Sequence, residues 1–322
     1  MRFRRRRTYR PGHLLLAATL AVALVVSCGG KETPTEIAAS LPRAKDVITG
    51  EGDDLPYLTE AMRRATAGDS TASYAGFDTY AYPGDATMRA WRQEGTYNWV
   101  GYYLPSPCHK GRTWVGKRQA LQDMGWGLAI VYVGQQTWGS ELNPVARRST
   151  GKRSSRAVSD CQASFLSAAR GVQDANDAIA VARSEGFPKG TVIFLDVERM
   201  EIVPPSMRAY YKAWTERVLA EGTFVPGAYV HTYNAKVIFG DIKGVYLAAG
   251  RTDVEPPFWI AGKSEDFSFT LDRNPMQIGH DFATIWQGKI DIVERRAGKK
   301  LPIDVNVAKT PDPSHPRTAL AD

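Results

Sequence analysis

Eight short apolar runs, at 75–79, 99–103, 128–133, 192–196, 227–231, 258–261, 284–287 and 303–306, recur along this chain with longer stretches between them. Each run has four to six residues and is apolar nearly throughout, the pattern of strands covered on both faces. The intervening segments at 87–94, 117–124, 159–185, 206–221 and 234–239 read as helices. Eight strands with helical crossovers, within about 230 residues, predict a (β/α)8 barrel of the TIM type. The helices after Ala249 and Ala261 are short or unreadable, so irregularity is expected in the C-terminal half; a doubly wound open sheet is the alternative. A hydrophobic content of 43% is enough to fill such a core. No G-x-G-x-x-G or P-loop follows the first run, and no cofactor is expected.

The formal charge of +7 invites a nucleic-acid reading, which its placement removes. Arg2, Arg4, Arg5, Arg6, Arg7 and Arg10 contribute six of those charges, leaving +1 for the rest. No general pull on phosphate backbones follows from that, and no nucleic-acid partner is expected. The arginines precede thirteen uncharged residues, Leu14 to Val26, which is the layout of a secretory signal over 1–27. Val25-Val26-Ser27-Cys28 resembles a bacterial lipobox, which implies lipid on Cys28 and a membrane tether at the outer face of the cytoplasmic membrane. Arg6-Arg7-Thr8-Tyr9 loosely resembles a twin-arginine signal, and the export route is left open. Residues 28–73 read as tether and lead-in, 74–310 as the barrel and 311–322 as a tail. Cys108 and Cys161 remain as an even pair in an oxidising compartment, and a disulfide between them is expected over two free thiols.

Polar residues fall at the carboxyl ends of these runs, where barrel enzymes gather their chemistry. Asp78 ends the first run; Asp196 and Glu198 end the fourth; Gln287 ends the seventh; Asp304 and Asn306 lie on the eighth. A period of two puts Asp196 and Glu198 on the same side of their strand. Carboxylates crowded together raise one another's pKa, which is what a general acid needs.

These residues also carry a resemblance. Gly76-Phe77-Asp78, Phe194-Leu195-Asp196-Val197-Glu198, Phe258-Trp259-Ile260-Ala261, Trp286-Gln287 and Ile303-Asp304-Val305-Asn306 occur in the order seen in glycoside hydrolase family 25 lysozymes. Gly171-Val172-Gln173-Asp174-Ala175 and Pro188-Lys189-Gly190-Thr191 look like the glycoside-hydrolase-like family known as domain of unknown function 1906. The resemblance implies Glu198 as general acid, and Asp196 as the group that orients a substrate N-acetyl or tunes Glu198. It implies Asp78 and Asp304 as electrostatic walls. Acidic neighbours, with Phe194, Trp259 and Trp286 limiting its solvation, make Glu198 the acid expected to be least exposed and most raised in pKa. The substrate implied is cell-wall polysaccharide, peptidoglycan first; a non-catalytic carbohydrate-binding barrel with a regulatory role is the alternative. Tyr80, Tyr103, Tyr132, Tyr229, His231, Trp259, Trp286 and Gln287 complete the expected substrate-binding set. The pattern departs at Gly288, where the lysozymes carry an aromatic residue, and after Asp78.

Other chemistries lack their motifs. The five histidines are scattered, with no H-E-x-x-H or C-x-x-C spacing, so no metal site is expected. No G-x-S-x-G occurs. The basic stretch at 147–153 reads as a solvated loop, or as a contact with an anionic envelope surface.

Overall fold

The computed structural model describes residues 72–138, 161–263 and 267–315. The expected signal, Cys28, nearly all of the tether and the basic stretch at 147–153 lie outside them.

Eight strands close a barrel in chain order: β1 (Tyr74–Asp78), β2 (Trp99–Tyr103), β3 (Gly127–Val133), β4 (Val192–Val197), β5 (Val225–His231), β6 (Phe258–Ala261), β7 (Ala283–Arg296) and β8 (Lys299–Ala308). Between the first six lie α1 (Asp85–Gln93), α2 (Arg118–Asp123), α3 (Ala168–Ser184), α4 (Pro205–Glu221) and α5 (Thr232–Ala248). Side chains alternate along each strand. One set, including Trp99, Val131, Phe194, Trp259 and Ile285, fills the barrel; the other, including Phe77, Val100, Tyr132 and Trp286, packs outward.

The C-terminal half departs from a regular (β/α)8 pattern. Only a 3-10 turn, Pro275–Ile278, stands between β6 and β7, and β8 runs antiparallel to both β7 and β1. An antiparallel return needs no crossover helix. Two residues suffice, Ala297 and Gly298, both at positive φ (44° and 72°) as a primed turn requires. A bulge between Lys289 and Ile292, with Asp291 at φ 57°, bends the hairpin. Its outer part packs on the α1–β2 corner: Tyr97 donates to Glu294, Arg296 to the Thr96 hydroxyl, and the Ala297 N–H to Glu94. Ile292 and Leu301 press onto the outer core there, the cover that a helix after β8 gives in a regular barrel. The runs at 284–287 and 303–306 are therefore the barrel portions of longer strands.

At the opposite end of the barrel from the β4 carboxylates, the chain beyond β8 is built in. Ser314 sits where β3 and β4 diverge: its N–H donates to the Leu128 carbonyl, its carbonyl accepts from Val192, and its hydroxyl from the Ile130 N–H. Cys108 and Cys161 are bridged, with Cα atoms 5.1 Å apart, tying the β2 loop to the segment before α3. α3 and α4 approach so closely that a Cβ on Gly171 would lie 2.2 Å from the Tyr210 carbonyl oxygen. Backbone cannot yield as a side-chain tip can. Gly171→Ala is predicted to cost about 1–3 kcal/mol by overpacking. At roughly 2–4 °C per kcal/mol this lowers the melting temperature by several degrees; an unchanged melting curve would contradict the close crossing.

Candidate functional site

Asp78 is the last residue of β1 and points into the barrel. It fits because its neighbour on β2 is Gly101, where a Cβ would stand 2.5 Å from the Asp78 Cβ. Three side chains donate to this buried carboxylate: the Tyr103 hydroxyl at 2.7 Å, Gln287 Nε2 at 2.8 Å and Asn306 Nδ2 at 2.9 Å. The two amides are themselves oriented. Tyr229 donates to Gln287 Oε1 at 2.7 Å, and Trp259 Nε1 to Asn306 Oδ1 at 2.9 Å. Burial raises the Asp78 carboxyl above its ordinary range, against the three hydrogen bonds that favour its ionised form.

Asp196 points into the same mouth from β4 and is also buried, yet its Oδ1 has no hydrogen-bond partner within the protein. Its carboxyl is held well above the usual range, first by burial and then by the charges of Glu198 and Asp78. Glu198 stands one residue beyond the end of β4. It reaches solvent, but protein crowds it from the sides, and that desolvation raises its pKa against a hydrogen bond from the Arg199 N–H. The expectation that Glu198 is the least exposed and most raised acid is corrected here. Asp196 lies inside the ladder and takes that place, while Glu198 occupies the lip. Asp304 completes the ring from β8. Its Oδ1 accepts from the N–H of the bulge residue Asp291 at 2.6 Å, and burial with the Asp78 charge lifts it to about 7.

Other expected site residues separate by strand face. Tyr103 and Tyr229 point inward and serve the acids through their hydroxyls. Trp259 is the fully buried floor beneath them, in edge contact with Trp99, Phe194 and Tyr229, so it offers no face to a sugar. Tyr132 and Trp286 are corrections. Each follows or precedes an inward residue by one, so the period of two turns it outward. Tyr132 donates to Asp177 on α3, and Trp286 packs against Phe267 and Phe269. Phe269 also covers Gly288, where a Cβ would meet its ring at 1.7 Å. His231 caps α5, accepting from the Tyr233 N–H through Nδ1. Tyr80 stands exposed on the rim, edge-on to the buried His109, which in turn packs on Tyr103.

Sequence reasoning missed Gln136. Its Nε2 donates to the Asp196 carbonyl at 2.9 Å and its Oε1 accepts from the Glu198 N–H at 3.1 Å. The signal was present: Gln135, Gln136 and Thr137 follow the third apolar run, at the same strand end that singled out the acids. Exposed Trp138 and Tyr233 at neighbouring strand ends were missed as well. A cleft of about 550 Å³ beside α3 is a different feature. Its carboxylates, Asp174 and Asp177, are already engaged by Arg170, Tyr210 and Tyr132. Among the described residues no group of three or more metal-ligand side chains is placed to hold an ion.

A closed barrel with a ring of carboxylates at the carboxyl ends of β1 and β4 is the arrangement of a glycoside-hydrolase-like domain. The chain belongs to the Rv2525c-like, glycoside hydrolase-like domain family, whose model matches residues 89–308. β1 and Asp78 precede the matched part. Among solved structures, an uncharacterized B. stearothermophilus protein is 17% identical, over 73% of this chain and 95% of that one, with a TM-score of 0.49. The Tat-secreted protein Rv2525c of Mycobacterium tuberculosis, in complex with L-tartrate, is 17% identical over 74% and 95%, at 0.42. The bacterial lysozyme of Streptomyces coelicolor is 14% identical over 72% and 90%, at 0.45. No curated protein matches the chain.

Proposed function

We propose that this protein is an exported, lipid-anchored glycoside hydrolase that cuts N-acetylated envelope polysaccharide, peptidoglycan first, with Glu198 as general acid. The observation that carries this reading is the pair at the end of β4. One acid, Glu198, meets solvent with a raised pKa, and the other, Asp196, is buried beside it with an unpartnered oxygen. Glu198 gives its proton to the glycosidic oxygen. Asp196 Oδ1 accepts the N–H of the substrate acetamide, whose carbonyl oxygen attacks the anomeric carbon as the glycosidic C–O bond breaks and the protonated sugar alcohol leaves. Water then opens the cyclic intermediate and returns a proton to Glu198. The protein need not supply a nucleophilic carboxylate by this route. Asp78 and Asp304 stabilise the positive charge that develops on the sugar ring. Tyr80, exposed beside the acids, is the aromatic face on which a sugar can stack. Export and anchoring rest on the basic-apolar-Cys28 sequence, and the Cys108–Cys161 bridge agrees with an oxidising compartment.

The test is incubation of the mature protein with purified peptidoglycan, followed by analysis of the released saccharides. New reducing ends are expected. Retention on the glycan without any new reducing end would overturn hydrolysis and leave the carbohydrate-binding reading in its place.

A further inference from the structure

β3 and β4 pair directly only from Ile130 with Ile193 to Val133 with Asp196. Past that point the β3 chain turns away. Gly134 lies where a Cβ would stand 2.5 Å from the Tyr210 hydroxyl, and the Gln135 N–H donates to that hydroxyl at 3.0 Å. The β4 main chain continues through Val197 to Glu198 with no β3 backbone opposite it. Its two main-chain groups on either side of Val197 nevertheless have partners, both supplied by one side chain. Gln136 Nε2 donates to the Asp196 carbonyl at 2.9 Å, and Gln136 Oε1 accepts from the Glu198 N–H at 3.1 Å.

A residue in a parallel ladder does the same with its own peptide groups: it donates to one carbonyl and accepts from the N–H two residues further on. The Gln136 carboxamide is thus a ladder rung built from a side chain, placed opposite Val197. It is fully buried, so water does not compete for either bond. The chemistry demands glutamine. The site needs one donor and one acceptor at the tip; an ionised glutamate offers acceptors only, and methionine, of similar length, offers no donor.

We propose that Gln136 is the positioning residue of the acid pair, extending the β3–β4 ladder by one rung so that Asp196 and Glu198 are held at a fixed spacing and direction. Without that rung Glu198 stands on a free strand end, where main-chain hydrogen bonds open locally. Its part in catalysis rests on the hydrolase reading above, but its hold on the Glu198 main chain does not.

Three readouts test this in the full mature chain: amide exchange at Glu198, titration of the Glu198 carboxyl by carbon-13 NMR, and hydrolysis of a soluble peptidoglycan glycan. In Gln136→Met, the Glu198 amide is expected to exchange about tenfold faster or more, while amides within β1 and β2 stay protected. The carboxyl titration shifts, and kcat falls about tenfold or more through misplacement, with KM within about twofold. Gln136→Glu keeps an acceptor for the Glu198 N–H and is expected to recover part of the amide protection. A folded Gln136→Met variant with wild-type exchange and wild-type Glu198 titration would overturn the proposal. If that variant fails to fold, Gln136→Leu, which also offers neither donor nor acceptor, is read by the same two measurements, and wild-type values in it overturn the proposal equally. A wild type that never cleaves glycan overturns the hydrolase reading alone, and exchange with titration still decides Gln136.

Discussion

Glu198→Gln is expected to lower glycan hydrolysis by about 10²–10⁴-fold, the usual contribution of a positioned general acid, while glycan binding stays near wild type. Glutamine keeps the length of the side chain and can still accept from the Arg199 N–H, but it has no proton to transfer. The same carboxyl sets a pH dependence. A general acid works only while protonated, so Glu198 sets the high-pH limb, on which activity falls as pH rises through its folded pKa. Desolvation by the protein crowding its sides moves that pKa up from the ordinary glutamate value of 4.5, so the falling limb lies above it. The measurement is kcat against pH for wild type, with glycan retention measured for both proteins. Full turnover in Glu198→Gln would remove Glu198 from the chemistry. Loss of retention together with turnover would make it a binding residue instead.

The barrel was legible because it is written in apolar runs, and seven of its eight strands are parallel and covered on both faces. β8 was legible as a strand but not in direction. Apolar character does not say which way a strand runs, and the hairpin beyond Gln287 alternates charged and half-buried residues such as Glu294, Arg295 and Arg296. Asp78, Asp196 and Glu198 converge because each stands at or just past the carboxyl end of its strand, a one-dimensional property; Asp304 joins them from antiparallel β8, opposite Asp78, where that rule does not apply. Tyr132 and Trp286 turn away from the mouth because aromaticity near a strand end says nothing about the face, and one step of register decides it. The polar Gln135-Gln136-Thr137 run marks a strand end, but the bonds Gln136 makes to main chain across 60 and 62 residues are encoded by no local pattern.

The two buried aspartates are predicted to affect stability in opposite directions. Asp78 accepts from three donors, so Asp78→Ala leaves the Tyr103 hydroxyl and the amides of Gln287 and Asn306 facing a cavity. At about 1–3 kcal/mol for each buried group left unsatisfied, the loss is roughly 3 kcal/mol or more. That corresponds to a melting temperature lower by about 6–12 °C. Asp196 has an unpartnered oxygen and two charged neighbours, so ionising it works against the fold. Its folded pKa is raised above the unfolded value, and the folded state therefore keeps a proton that the unfolded chain releases. Stability from this group is complete below the unfolded value of about 3.8 and is lost as pH rises through the folded one. Asp196→Asn abolishes that loss, so its melting temperature should exceed wild type by a margin that widens as pH rises above the unfolded value of about 3.8. Its turnover should fall, because an amide can orient the acetamide but cannot ionise in response to the positive charge that develops on it. An Asp196→Asn variant melting below wild type at every pH would mean that Asp196 holds the fold as Asp78 does. One that melts higher and cleaves less is what a residue retained for chemistry at the expense of stability must show.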